Sequence, residues 1–245
     1  MSLLIYSRRC YNLFMPELRV GCSGFNYWDW KENFYPADLP QRKWFEYYCT
    51  VFSTVELNVT FYRLPLAKTF DKWHKETPDD FAFSLKGSRF ITHIKRLLEP
   101  KESLELFFER ALRLKEKLKV VLWQFSPGFK IDIERLQNFL KLLKKYPVKN
   151  TLEFRHESWI TDEVINLCKE HDVSLCMADW PEFIDDLPVT SDFVYIRRHG
   201  EGGSYATCYS KTELRKDAKR IKNYLKNGED VFIYFNNDYH GYAPK

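Results

Sequence analysis

Hydrophobic positions along the chain follow two alternating rhythms. Strand-like runs occur at 18–24 (LRVGCSG), 54–61 (TVELNVTF), 81–88 (FAFSLKGS), 120–127 (VVLWQFSP), 150–158 (NTLEFRHES), 173–179 (VSLCMAD), 192–200 (DFVYIRRHG) and 230–238 (DVFIYFNND). Several of them place an apolar side chain at every second residue, the period of a strand with two unlike faces. Between them lie stretches with apolar residues at helical spacing. In 103–119, Leu104, Phe107, Phe108, Ala111, Leu112, Leu114 and Leu118 form a stripe against a charged face, and Ile133, Leu136, Phe139, Leu140 and Leu143 repeat it in 131–147. Thr161 three residues before Val164 predicts a capped helix start, and the helix predicted over 211–228 stops at Gly228.

Eight strands separated mostly by helices predict a parallel sheet, because a parallel crossover needs about a dozen residues or more. Closure gives an α/β fold of the (β/α)8 TIM-barrel-like kind, with two expected departures. The stretch 181–191 is too short for a normal crossover helix between strands six and seven, and only about seven residues follow strand eight, so the last helix is missing or truncated. With no repeat or linker, residues 17–245 are expected to form one domain, preceded by an extension over 1–16 that lies partly upstream of an alternative start at Met15.

The barrel gives the strand phases a meaning. Outward positions pack under helices and are apolar, so the other phase faces the axis. Val55, Leu57 and Val59 are then helix-facing, which turns Glu56, Asn58 and Thr60 inward. By the same sorting Lys86, Glu153, Arg155, Tyr195, Arg197, His199, Tyr234, Asn236 and Asp238 face the interior, clustered toward the C-terminal strand ends where barrels build active sites.

Composition narrows the class without naming a reaction. The chain is 44% hydrophobic, 17% aromatic and 29% charged, which excludes a disordered protein. Its 38 basic and 34 acidic residues leave a net charge of +4, which permits an anionic partner without demanding nucleic acid. The six cysteines (Cys10, Cys22, Cys49, Cys168, Cys176, Cys208) lack the close spacing of a zinc knuckle or redox dithiol, so free thiols in a reducing cytoplasm are expected. No apolar run approaches membrane-spanning length, and no membrane association is expected.

The stretches VGCSGFNYWDWKENFYP, STVELNVTFYRLP, FSLKGSRFITHIKRL, WQFSPGF, LEFRHESW, VYIRRHG and YFNND, in this order, resemble the YecE-like family, a domain of unknown function (DUF72). The resemblance runs from about residue 20 to 239. It implies a TIM-barrel-like fold in a soluble protein and brings no reaction or cofactor. Cys22 stands where a Thr is usual and Phe25 where a Trp is usual.

Several chemistries are open to the inward set. Glu56 and Glu153 form a carboxylate pair of the glycosidase type, although they sit on strands two and five, while Gln124 and His199 occupy strands four and seven. Glu56, Glu153, Asp179, His199 and Asp238 are ligand types for a divalent metal such as Mg²⁺, Mn²⁺ or Zn²⁺, although no local ligand spacing supports one. Lys86, Arg89, Lys95 and Arg96 at the end of strand three, with Arg155, Arg197 and Arg198 on strands five and seven, match phosphate or carboxylate, or else pair with the barrel's own acids. His93, His156 and His199 are ligands or structural histidines; Phe25, Tyr27, Trp28, Trp30, Phe34 and Tyr35 are a stacking platform or a satellite core. Gly200, Gly202 and Gly203 do not open a helix and fit a mobile lid rather than a dinucleotide loop.

The expectation is an enzyme, of hydrolase or lyase type, acting on an anionic small molecule that is phosphorylated or nucleotide-like. Glu56, Glu153 or His199 moves the proton; Asn58, Asn236 and Asp238 orient groups. Tyr62, Lys86, Arg89, Gln124, Arg155, His156, Asp179 and Arg197 complete the ligand site. The alternatives are a nucleic-acid-binding or repair protein and a non-catalytic ligand sensor. No oligomeric state is assigned.

Overall fold

The computed structural model describes residues 15–245; the extension expected over 1–16 falls almost entirely outside the described residues, as does Cys10. Eight strands close a parallel barrel in chain order: β1 (Leu18–Ser23), β2 (Thr54–Leu57), β3 (Ala82–Lys86), β4 (Leu118–Gln124), β5 (Lys149–Glu153), β6 (Ser174–Ala178), β7 (Phe193–Arg198) and β8 (Asp230–Phe235), with β8 pairing back onto β1. The helices are α1 (Trp44–Val51), α2 (Val59–Tyr62), α3 (Ala67–Glu76), α4 (Lys101–Ala111), α5 (Ile133–Leu143), α6 (Asp162–Glu170) and α7 (Lys211–Asn227).

Local chemistry sets several boundaries. Asp132 accepts from the Arg135 N–H at 3.1 Å to start α5, and Thr161 accepts from the Val164 N–H at 3.3 Å to start α6. Ser210 and Glu213 form a reciprocal capping box at α7, and Gly228 ends it at φ 95°, where a side chain is disfavoured. The helix expected to reach residue 119 instead ends at Ala111, and Lys115 takes φ 51° before β4 begins at Leu118.

The two phases of the strands separate into two clusters. Val55, Leu57, Phe83, Leu85, Val121, Trp123, Leu152, Val194, Ile196, Val231 and Ile233 join the main core beneath the helices. Val120, Leu122, Cys176, Phe193, Tyr195, Phe232 and Tyr234 form a second cluster inside the barrel. Above it the filling becomes polar: Thr54 Oγ1 lies 2.7 Å from the Tyr234 hydroxyl, and Ser84 Oγ lies 2.6 Å from the Tyr195 hydroxyl. The interior is therefore plugged below and charged above.

One phase reading fails. Val59 is 45% exposed rather than helix-facing, because β2 stops at Leu57 and residues 59–62 coil into α2. The expected departure between strands six and seven appears. Between β6 and β7 there is only a short 3-10 turn (Glu182–Ile184), where buried Ile184 and Leu187 cover the barrel wall in place of a helix. After β8 the chain turns at Tyr239–Gly241, and Leu18 and Val20 on β1 are partly exposed.

Candidate functional site

The C-terminal strand ends hold a charge network organised by Arg197. Its side chain is 1% exposed, and Glu56 and Glu153 are 0% exposed. Arg197 Nε and Nη2 donate to Glu56 Oε2 and Oε1 at 3.0 and 2.8 Å, a bidentate fork, while Nη1 donates to Glu153 Oε2 at 3.0 Å. Glu56 also accepts from the Tyr195 hydroxyl at 2.7 Å and from Ser23, whose Oγ takes a bond from Asn58 Nδ2 at 2.9 Å. Glu153 also accepts from Gln124 Nε2 at 2.8 Å and from Arg155. Both carboxylates are thus saturated.

Their acidities follow. Burial alone would raise both carboxyl pKa values, but the Arg197 charge and donors outweigh it at Glu56, and Arg155 with Arg197 outweigh it at Glu153, so both sit below the ordinary range. His199 is fully buried; its Nε2 accepts from Arg197 and Arg155, both at 3.0 Å, and its Nδ1 faces Asp179 Oδ1 at 3.4 Å. Burial and the Arg197 charge push its pKa down, which holds it neutral. All three groups are engaged by donors within the barrel.

Above this floor lies a cavity of about 370 Å³. Lys86, Arg89, Arg155 and Arg197 supply its charge, with Gln124 and His93. Phe61, Tyr62, Trp180 and Tyr205 supply aromatic wall. Arg155 is held rigid, with its guanidinium 4.8 Å from the Trp180 ring centroid and Nη1 donating to the Trp180 carbonyl at 3.2 Å. Gly203 packs against that indole, where a Cβ would lie 2.7 Å from Cγ, so the glycine loop backs Trp180, which lines the cavity with Tyr205.

Lys86 differs from Arg155, Arg197 and His199, which are all hydrogen-bonded. It is 9% exposed, yet among the described residues its Nζ makes no hydrogen bond or ion pair and lies only over the Phe61 ring, 4.3 Å from the centroid. Burial and the neighbouring Arg197 charge bring its pKa down to about 8. His93 is brought down to about 4 by burial and then by the Lys86 and Arg89 charges, so it is neutral at pH 7.

Of the residues expected at the site, Tyr62, Lys86, Arg89, Gln124, Arg155 and Arg197 line the cavity. Glu56, Asn58, Glu153 and His199 form or brace its floor. Asp179 stands behind His199, accepting its backbone N–H at 2.8 Å. Three others lie off the cavity. His156 Nδ1 accepts from the Ser158 N–H at 3.1 Å and caps a turn. Asn236 bonds through its backbone to the Arg198 carbonyl at 2.7 Å. Asp238 is half-buried beside Tyr27, its buried Oδ1 is without a partner among the described residues, and burial lifts its pKa to about 8. Arg198 faces outward and pairs with Asp217 on α7, Nε to Oδ2 at 2.7 Å.

Phe61, Pro127, Trp180 and Tyr205 line the cavity without having been singled out for it, and His93 had two readings. Trp180 carries the one sequence signal, its place directly after Asp179 at the end of a strand. The aromatic loop is neither a separate satellite core nor a stacking platform but part of the main core: Trp30 and Tyr35 are buried in it and Tyr35 stacks on Trp44 at 4.7 Å, whereas Trp28 is 65% exposed. Among the described residues no group of three Cys, His, Asp or Glu is placed to hold a metal. With Glu56 and Glu153 already saturated by arginine, the expected metal ligands do not fit that role. Neither carboxyl has the raised pKa that a glycosidase acid needs. No helix among the described residues is long and apolar enough to cross a membrane.

The chain is similar to known proteins over most of its length. The UPF0759 protein YunF of Bacillus subtilis is 27% identical, over 91% of this chain and 90% of its own. A crystal structure of a DUF72 family protein from Thermotoga maritima superposes with a TM-score of 0.81 at 32% identity, covering 93% of this chain and 95% of that one. D-psicose 3-epimerase from Clostridium cellulolyticum, solved with D-tagatose, has a TM-score of 0.55 at 12% identity over 89% and 85% of the two chains, a likeness of fold alone. The family profile described as "Protein of unknown function DUF72" matches residues 19–245, and the chain belongs to that family.

Proposed function

We propose that the protein is an enzyme that binds an anionic small molecule, phosphorylated or nucleotide-like, in the mouth cavity and acts on it by proton transfer at Lys86 and His93. The observation that carries this reading is Lys86: a largely buried amine with no hydrogen bond or ion pair among the described residues, opening on a cavity that holds three arginines as well. Leaving a charge buried and unpaired is costly, and an entering anion removes that cost. Arg155 and Arg197 supply preorganised planar donors, while Glu56 and Glu153 serve to aim them.

Lys86 with a pKa of about 8 exists in both protonation states near neutrality, which suits proton transfer. The proton role expected of Glu56, Glu153 and His199 therefore moves to Lys86 and His93. Anion binding favours the charged amine, so the complex takes up protons at pH 8. Calorimetry of phosphate or sugar phosphates at low salt, in buffers of differing ionisation enthalpy, measures that uptake. A fraction of a proton is expected at saturation. The proposal fails if no phosphorylated compound stabilises the protein at low salt, where a ligand at a hundred times its Kd adds about 2.7 kcal/mol. The small cavity favours a small molecule over nucleic acid, and oligonucleotides serve as the comparison arm.

A further inference from the structure

Lys86 is the terminal residue of β3, and its backbone is pinned where its carbonyl accepts from Thr60 Oγ1 at 2.6 Å. A second buried lysine shows how this fold treats an ammonium that it merely stores. Lys117 is 3% exposed and donates to the His74 and Thr77 carbonyls at 2.7 and 2.8 Å and to Thr77 Oγ1 at 3.3 Å. Lys86 has none of these partners among the described residues; it has an aromatic face and a cavity instead.

The groups around Lys86 come from every neighbouring element. Arg197 on β7, Arg155 after β5, and Arg89 and His93 after β3 surround it, while Glu56 on β2 and Glu153 on β5 are bound to the arginines. Desolvation and adjacent cations are the two devices that turn a lysine into a nucleophile, because both favour the neutral amine. His93 has Thr92 Oγ1 at 2.9 Å from Nδ1 and no partner at Nε2 among the described residues, so one ring nitrogen is available for proton carriage.

Resting on the anion-site reading above, we infer that Lys86 forms an imine with the carbonyl carbon of an anionic aldehyde or ketone, a 2-oxo acid or a sugar phosphate in its open form. The amine lone pair makes the C–N bond and the carbonyl π pair moves to oxygen, which takes a proton. The C–O bond of the carbinolamine then breaks, the oxygen leaves as water with a second proton, and nitrogen loses its protons to form C=N. Amine plus carbonyl thus gives imine plus water, with no oxidant or reductant. His93 moves the protons between nitrogen and oxygen, and Arg89 and Arg155 hold the anionic end.

The experiment is borohydride trapping of the full chain with pyruvate or dihydroxyacetone phosphate, read by intact mass and peptide mapping. One reduced adduct per chain is expected on the peptide containing Lys86, forming roughly tenfold or more faster at pH 8 than at pH 6 because the neutral amine is the reactant. K86R is expected to lose the adduct. No adduct, or adducts scattered over surface lysines, overturns the inference, and the map on the unaltered chain decides this even if K86R does not fold. Stabilisation by phosphate without trapping removes the imine alone; absence of both removes the anion site as well.

Discussion

Replacing Lys86 with Met is expected to make the protein more stable at neutral pH while abolishing anion binding. The magnitude follows from the amine's environment. Its pKa falls from 10.5 to about 8 on folding, and at about 1.4 kcal/mol per pKa unit this amounts to about 3 kcal/mol of preference for the neutral form. Between pH 8 and 10.5 the unfolded chain binds a proton at this position that the folded chain does not, so stability rises with pH across that window. This contribution is complete above the unfolded pKa and lost as pH falls through the folded one, so at pH 7 the protein lacks it. Methionine keeps an unbranched side chain against Phe61 and needs no counter-ion.

The assay is urea unfolding of both proteins at pH 7 and at pH 10.5, without added anion. Lys86→Met should exceed the unaltered protein by about 2–3 kcal/mol at pH 7, with the gap closing at the higher pH. Taking the difference between the two proteins cancels the other groups that titrate in this range. Phosphate at pH 7 should then raise the Tm of the unaltered protein only. A variant less stable at pH 7, or a difference that does not change with pH, refutes the claim that Lys86 is an uncompensated buried amine.

Two further substitutions test the floor and the wall. Arg197→Met strands Glu56, which keeps only the neutral donors of Ser23 and Tyr195, so stability at pH 7 should fall by about 3–5 kcal/mol. Burial then dominates and raises the Glu56 pKa, so the deficit in urea unfolding should shrink as pH falls from 7 toward 5; a pH-independent deficit contradicts the pairing. Gly21→Ala places a Cβ 2.9 Å from Thr54 Cγ2 and closer still to the Thr54 carbonyl oxygen, which should cost about 1–3 kcal/mol or more. Phosphate affinity should survive that change, since Gly21 lies below the charged layer, and thermal denaturation with and without phosphate checks both halves.

Period-two patterning was enough to find the barrel and to assign most inward residues, because a strand under helices must be apolar on its outer face. It failed at residues 59–62, where four residues of alternation are equally compatible with one helical turn, and so Val59 was assigned to the core although it is exposed. The adjacent arginines of β7 illustrate a different limit. Phase distinguishes Arg197 inside from Arg198 outside, but that Arg198 is occupied by Asp217 depends on how α7 packs, which no local pattern encodes.

The site shows the same division between position and role. Glu56 and Glu153 are visible as inward acids, and inward acids near inward bases look reactive. Whether they react depends on how the charges pair, and pairing is a property of distances. Arg197 sits between them and engages both, Arg155 takes a second share of Glu153, and the buried basic group left without a partner among the described residues is then the lysine at the end of β3. A barrel that binds its carboxylates to arginine and leaves an amine unpaired has placed its reactivity on the amine, whose charge depends on whatever anion enters the mouth.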